Sequence, residues 1–79
     1  MMNATELRAA LARHNVTAAD LASIVGITPR AVRYWLEGER PIPAHVWLLC
    51  RLLDCRPEML GLIRDLARQR LAEELACTA

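Results

Sequence analysis

The stretch from Thr17 to Gly38 constrains this chain more than any other feature, because it carries two complete sets of helix start and stop signals back to back. Thr17 and Thr28 each precede a helix-forming run, where a hydroxyl accepts a backbone N–H that the first helical turn leaves unpaired. Pro29 stands at a first helical position, where its missing N–H costs nothing. Gly26 and Gly38 follow the two runs, at the point where the chain turns left-handed. The spacing predicts helices over 18–25 and 29–37. Leu21, Ala22 and Val25 give the first an apolar face, and Val32, Trp35 and Leu36 give one to the second. Ile27 fills the angle between them, and Ala22 and Ala31 are small where the helices cross. Outward on the second helix stand Arg30, Arg33, Tyr34 and Glu37, at i, i+3, i+4 and i+7 and therefore on one face. Two short helices at a steep angle, the second with an arginine-bearing outer face, form a helix–turn–helix suited to the major groove of DNA.

The flanking segments continue the helical pattern. Asn3 and Glu6 form a capping box that opens a helix over 4–14, with Leu7, Ala10 and Leu11 inward and His14 near the end as a partner for the helix dipole. Glu39 to Pro43 reads as a stiff connector. Pro43 starts a fourth helix over 43–54, with Val46, Leu49, Cys50 and Leu53 at core spacing and Trp47, Leu48 and Leu52 broadening that face. Trp47 fits either the core or a dimer face. Pro57 opens a last helix over 57–76, whose stripe is Met59, Ile63, Leu66, Ala67, Leu71 and Leu75. No strand-like alternation and no repeat interrupts the pattern. The expected fold class is all-α, five helices, with residues 1–79 as a single domain.

A chain of 79 residues closes only a small core. Helices one to four suffice for it, and part of the last helix is expected to fold back onto helix four. Met59, Leu62, Ile63, Leu66, Leu71 and Leu75 then form a surface that another copy of the chain would cover, so a homodimer is expected.

Composition excludes more than it assigns. The formal net charge is only +1, so nucleic-acid binding must rest on a local patch. Residues 1–53 hold six arginines against four acids, and 54–79 hold four against five, which puts the small basic surplus with the helix–turn–helix. There is no secretion signal and no run of about 18 apolar residues, so a cytoplasmic protein of a bacterial or phage-infected cell is expected, without membrane contact. Cys50, Cys55 and Cys77 match no zinc-module spacing; Cys50 falls on an apolar helical face and Cys77 in the tail. No metal, cofactor or small-molecule ligand is implied. Nor do the acids and the two histidines form a catalytic constellation, so the chain reads as a non-enzyme.

At Leu21, Ala22, Gly26, Ile27, Thr28, Val32, Trp35 and Gly38 the chain resembles the Cro/CI (XRE) family of phage-type repressors, closely over 17–38 and more loosely over about 5–55. The resemblance implies a lambda-repressor-like helical domain that binds palindromic double-stranded DNA operators as a dimer. It carries the DNA contacts onto Thr28, Pro29, Arg30, Arg33 and Tyr34. To these the residues themselves add Arg40, just past the second helix and placed to reach the DNA backbone, and Thr17 as a cap that also faces phosphate. Two positions depart from the family. Ala18 stands where members commonly place a phosphate-clamping Gln, and Leu36 stands where a Glu is usual.

The function expected is therefore a sequence-specific transcriptional regulator, a repressor or autorepressor. An antitoxin-type helix–turn–helix protein that grips a toxin through its last helix is the alternative. A helix–turn–helix that serves protein contacts alone is the third.

Overall fold

The computed structural model describes residues 2–78, with side chains from Met2 to Ala76. Five helices follow in order: α1 (Ala4–Arg13), α2 (Ala18–Val25), α3 (Pro29–Leu36), α4 (Ala44–Cys55) and α5 (Met59–Thr78). The fold is all-α, as the periodicity requires, with no strand among the described residues. Three helices begin on the expected caps. The Asn3 side chain accepts from the Glu6 N–H at 2.8 Å, the Thr17 hydroxyl from the Asp20 N–H at 3.0 Å, and the Thr28 hydroxyl from the Ala31 N–H at 3.2 Å. Two starts differ from the expectation. Pro43 lies just before α4 as its extended N-cap, and Pro57 with Glu58 forms a turn ahead of α5.

The first three helices end in the same closure. Past α1, α2 and α3 a residue turns left-handed: Asn15 (φ 55°), Gly26 (φ 83°) and Gly38 (φ 76°). The next amide then reaches back to a carbonyl of the last turn: Val16 to Leu11 at 2.9 Å, Ile27 to Ala22 at 3.0 Å, Glu39 to Tyr34 at 2.9 Å. Asparagine tolerates this backbone better than other non-glycine residues.

Each of the first four helices contributes one large side chain that is fully buried: Leu7, Leu21, Val32 and Val46. Trp35, Ala22, Ala10, Ile42 and Cys50 pack around them, and α3 lies against both α1 and α2. Between α1 and α4 a polar clamp closes the edge. Asp54 accepts from Arg13 through both carboxylate oxygens, at 3.0 and 3.1 Å, and from His14 Nε2 at 2.8 Å. These bonds, led by that from His14, hold the Asp54 carboxyl below its ordinary pKa.

The structure corrects two readings of the apolar pattern. Trp47, Leu48 and Leu52 do not broaden the α4 core face: they are 44%, 52% and 51% exposed. Helix α5 packs on α2, not chiefly on α4. Its apolar residues also form no single stripe. Ala67 is buried opposite Asp20, Ser23 and Ile24, Leu60 packs against the core, and Ile63 is half-buried. Met59, Leu62 and Leu66 stay exposed on one flank, and Leu71 and Leu75 stay exposed farther along. The helical period puts Leu66 and Leu71 about 140° apart around the axis, so one neighbour cannot cover both.

Candidate nucleic-acid interface

Helix α3 owes its position to what its inner face buries. Val32 is inaccessible and Trp35 nearly so, which fixes the rotation of the helix on α1 and α2. Ala31 is half-buried and Leu36 packs against the core from the last turn. With that face anchored, the period turns Arg30, Arg33, Tyr34 and Glu37 outward, where they line one open depression.

Charge distinguishes this face from the rest of the molecule. Five arginines have hydrogen-bond or ion-pair partners within the protein, while the side chains of Arg51 on α4 and Arg56 just after it have none among the described residues. Arg8 donates to the Leu36 carbonyl at 2.6 Å, and Arg13 holds Asp54. Arg64 pairs with Asp20 at 3.2 Å, Arg68 with Asp65 at 3.5 Å, and Arg70 donates to the carbonyls of Ser23 and Ile24. Among the described residues, Arg30 and Arg33 make no hydrogen bond or ion pair. In particular, Arg33 does not pair with Glu37 one turn on. A guanidinium fork with no internal partner has all its N–H donors available for guanine edges or phosphate oxygens.

The remaining site residues frame that face. Thr28 and Pro29 form the exposed start of α3, and Thr17 the exposed start of α2. Both threonine oxygens accept a backbone N–H, which leaves each O–H to donate elsewhere. Arg40 lies past the end of α3 with its guanidinium carbon 4.6 Å from the centre of the Tyr34 ring. The sequence reading selected both residues and missed their contact; the left-handed Gly38 between them was the available signal. At Ala18 the side chain is half-buried against the core and offers no donor to a phosphate. Leu36 packs inward, and its carbonyl takes the bond from Arg8.

The residues expected at a dimer face divide as described: Met59, Leu62, Leu66, Leu71 and Leu75 are exposed and Ile63 is half-buried. Of the cysteines, Cys50 is buried and Cys55 exposed, both as free thiols, and the Cys77 side chain lies outside the described residues. Burial raises the Cys50 thiol pKa. Among the described residues no cluster of histidine, cysteine and acidic groups is placed to hold a metal ion, and no helix is long and apolar enough to cross a membrane.

A family model described as "Helix-turn-helix" matches residues 7–60, from within α1 to the first turn of α5. Comparisons with curated proteins and with solved structures returned no significant match.

Proposed function

The chain belongs to the Cro/CI-type helix–turn–helix family of DNA-binding transcriptional regulators, and we propose that it is a repressor which occupies a palindromic operator as a homodimer. Each subunit lays α3 in the major groove. Arg30 and Arg33 contact base edges, Arg40 reaches the flanking backbone from beside Tyr34, and the exposed starts at Thr17, Thr28 and Pro29 approach phosphates. The observation that carries this reading is the presence of two unpaired arginines one turn apart on the exposed face of α3, the second helix of the helix–turn–helix.

One α3 spans only a few base pairs, and a net charge of +1 adds little general attraction to DNA. Two copies related by a two-fold axis, with reading helices about 34 Å apart, would double both kinds of contact. The exposed flank of α5 at Met59, Leu62 and Leu66 is the surface proposed for this pairing. Acting on DNA, the protein works in the cytoplasm of a bacterial or phage-infected cell, and autoregulation is the simplest use for so small a repressor.

Footprinting on the DNA upstream of its own coding sequence tests the proposal. A protected palindrome that is lost in Arg30→Ala supports it. Protection unchanged in that variant would remove α3 from the interface. Failure to protect any duplex, together with capture of a second protein through α5, would favour the antitoxin reading.

A further inference from the structure

We propose that Tyr34 is a positioning residue for Arg40, presenting its guanidinium to a phosphate beside the reading helix; this rests on the assignment of α3 to DNA. Arg40 is tied to Tyr34 twice. Gly38 turns the chain back at φ 76°, and the amides of Glu39 and Arg40 both donate to the Tyr34 carbonyl, at 2.9 and 3.4 Å. The Arg40 guanidinium then lies over the Tyr34 ring, 4.6 Å from its centre. The backbone closure thus fixes where the Arg40 side chain starts, and the ring fixes where it ends.

The chemistry of the pair suits a phosphate. A guanidinium over an aromatic face uses its π surface, while its N–H donors point outward in the plane and stay free. A phosphate accepts two of them side by side. An exposed arginine otherwise samples many rotamers and loses that freedom on binding, so a side chain already held in place binds more tightly through the same contact. Tyr34 is half-buried on the outer face of α3, and although Glu37 shares its depression and Glu39 precedes Arg40 in the chain, no ion pair links either acid to Arg40 among the described residues. The ring is therefore the partner that orients Arg40.

The test uses the full chain and a random-sequence duplex two helical turns long, because a phosphate contact needs no operator. Arg40→Ala should lower affinity and flatten the dependence of log affinity on log salt by about one. Tyr34→Leu should lower affinity roughly two- to fivefold, and Tyr34→Phe, which keeps the ring, should restore it. In the Arg40→Ala background, Tyr34→Leu should then change nothing. In the free protein, the ring current of Tyr34 should shift the Arg40 side-chain protons, and the shift should survive in Tyr34→Phe and vanish in Tyr34→Leu. This NMR readout also covers the case of a Tyr34→Leu chain that fails to fold, since the wild type and Tyr34→Phe alone decide it. Unshifted Arg40 protons in the wild type, or a Tyr34→Leu loss that persists without Arg40, would overturn the proposal. A wild type that shows the shift but binds no duplex would instead overturn the DNA assignment, and the role of Arg40 with it.

Discussion

Arg70 covers Gly26: a Cβ built on that glycine would stand 3.3 Å from the Arg70 guanidinium carbon. The same guanidinium donates to the Ile24 carbonyl at 2.9 Å and to the Ser23 carbonyl at 2.5 Å. These are acceptors that the left-handed end of α2 leaves open, and Arg70 closes them from α5. The turn of the helix–turn–helix is thus held from outside the motif, by a residue near the far end of the chain.

Two substitutions test that brace. Gly26→Ala should destabilise the fold by roughly 1–2 kcal/mol from the left-handed backbone alone, with a further loss as Arg70 is displaced. Arg70→Ala should cost about 1 kcal/mol through the uncovered carbonyls. In the double variant the two losses should fall short of additivity, because they share one contact. Urea unfolding of the three variants measures this, and full additivity would mean that Arg70 and the turn act separately.

Trp35→Ala should destabilise the domain by roughly 3–5 kcal/mol, since it empties a large volume in the core. That is most of the stability of a small domain. Thermal unfolding followed by circular dichroism measures it. A Trp35→Ala chain that keeps its midpoint would place Trp35 outside the core.

The helix–turn–helix itself was legible in the chain. Thr17, Thr28, Pro29, Gly26 and Gly38 act through local backbone chemistry, and the structure places all five where that chemistry requires. The outward face of α3 was legible for the same reason, because period fixes rotation about the helix's own axis. Long-range choices were not. Periodicity marked α5 as apolar without saying that α2 would be its neighbour, and the even scatter of its leucines concealed two separate flanks. The sequence pattern names no partner for Arg8, Arg64 or Arg70, yet each reaches a helix other than its own. A long side chain can travel that far, and no local signal records where it goes. Asn15, by contrast, is a local signal, since asparagine is among the few non-glycine residues that turn left-handed readily.

Stability should fall in acid because of Asp54. Its folded pKa lies below the ordinary value of 3.8, first through the hydrogen bond from His14 and then through those from Arg13. A depressed carboxylate pKa contributes stability that is complete above the ordinary value and is lost as pH falls through the folded one. Unfolding midpoints in urea should therefore drop from about pH 4 downward, and Asp54→Asn should be less stable at neutral pH with a shallower acid limb. An equally steep limb in Asp54→Asn would assign the acid sensitivity to other carboxylates.

The proposed dimer makes a prediction sharpened by the geometry of α5. Leu62 and Leu66 share one exposed flank, so Leu62→Arg with Leu66→Arg should give monomers in sedimentation equilibrium at micromolar concentration, with the fold intact. Leu75→Arg, on the other side and farther along, provides the comparison. A double variant that stays dimeric would move the interface to the exposed side of α4, at Trp47, Leu48 and Leu52.

Selection of binding sites from random duplex DNA tests the central claim, that the outer face of α3 reads sequence. The wild type should enrich a palindrome with half-sites about one helical turn apart. Arg30→Ala and Arg33→Ala should each weaken binding to it by roughly 1–3 kcal/mol and relax the preference at particular base pairs, with unfolding midpoints unchanged. Enrichment of the same motif with the same affinity by a folded Arg30→Ala, Arg33→Ala chain would contradict the account.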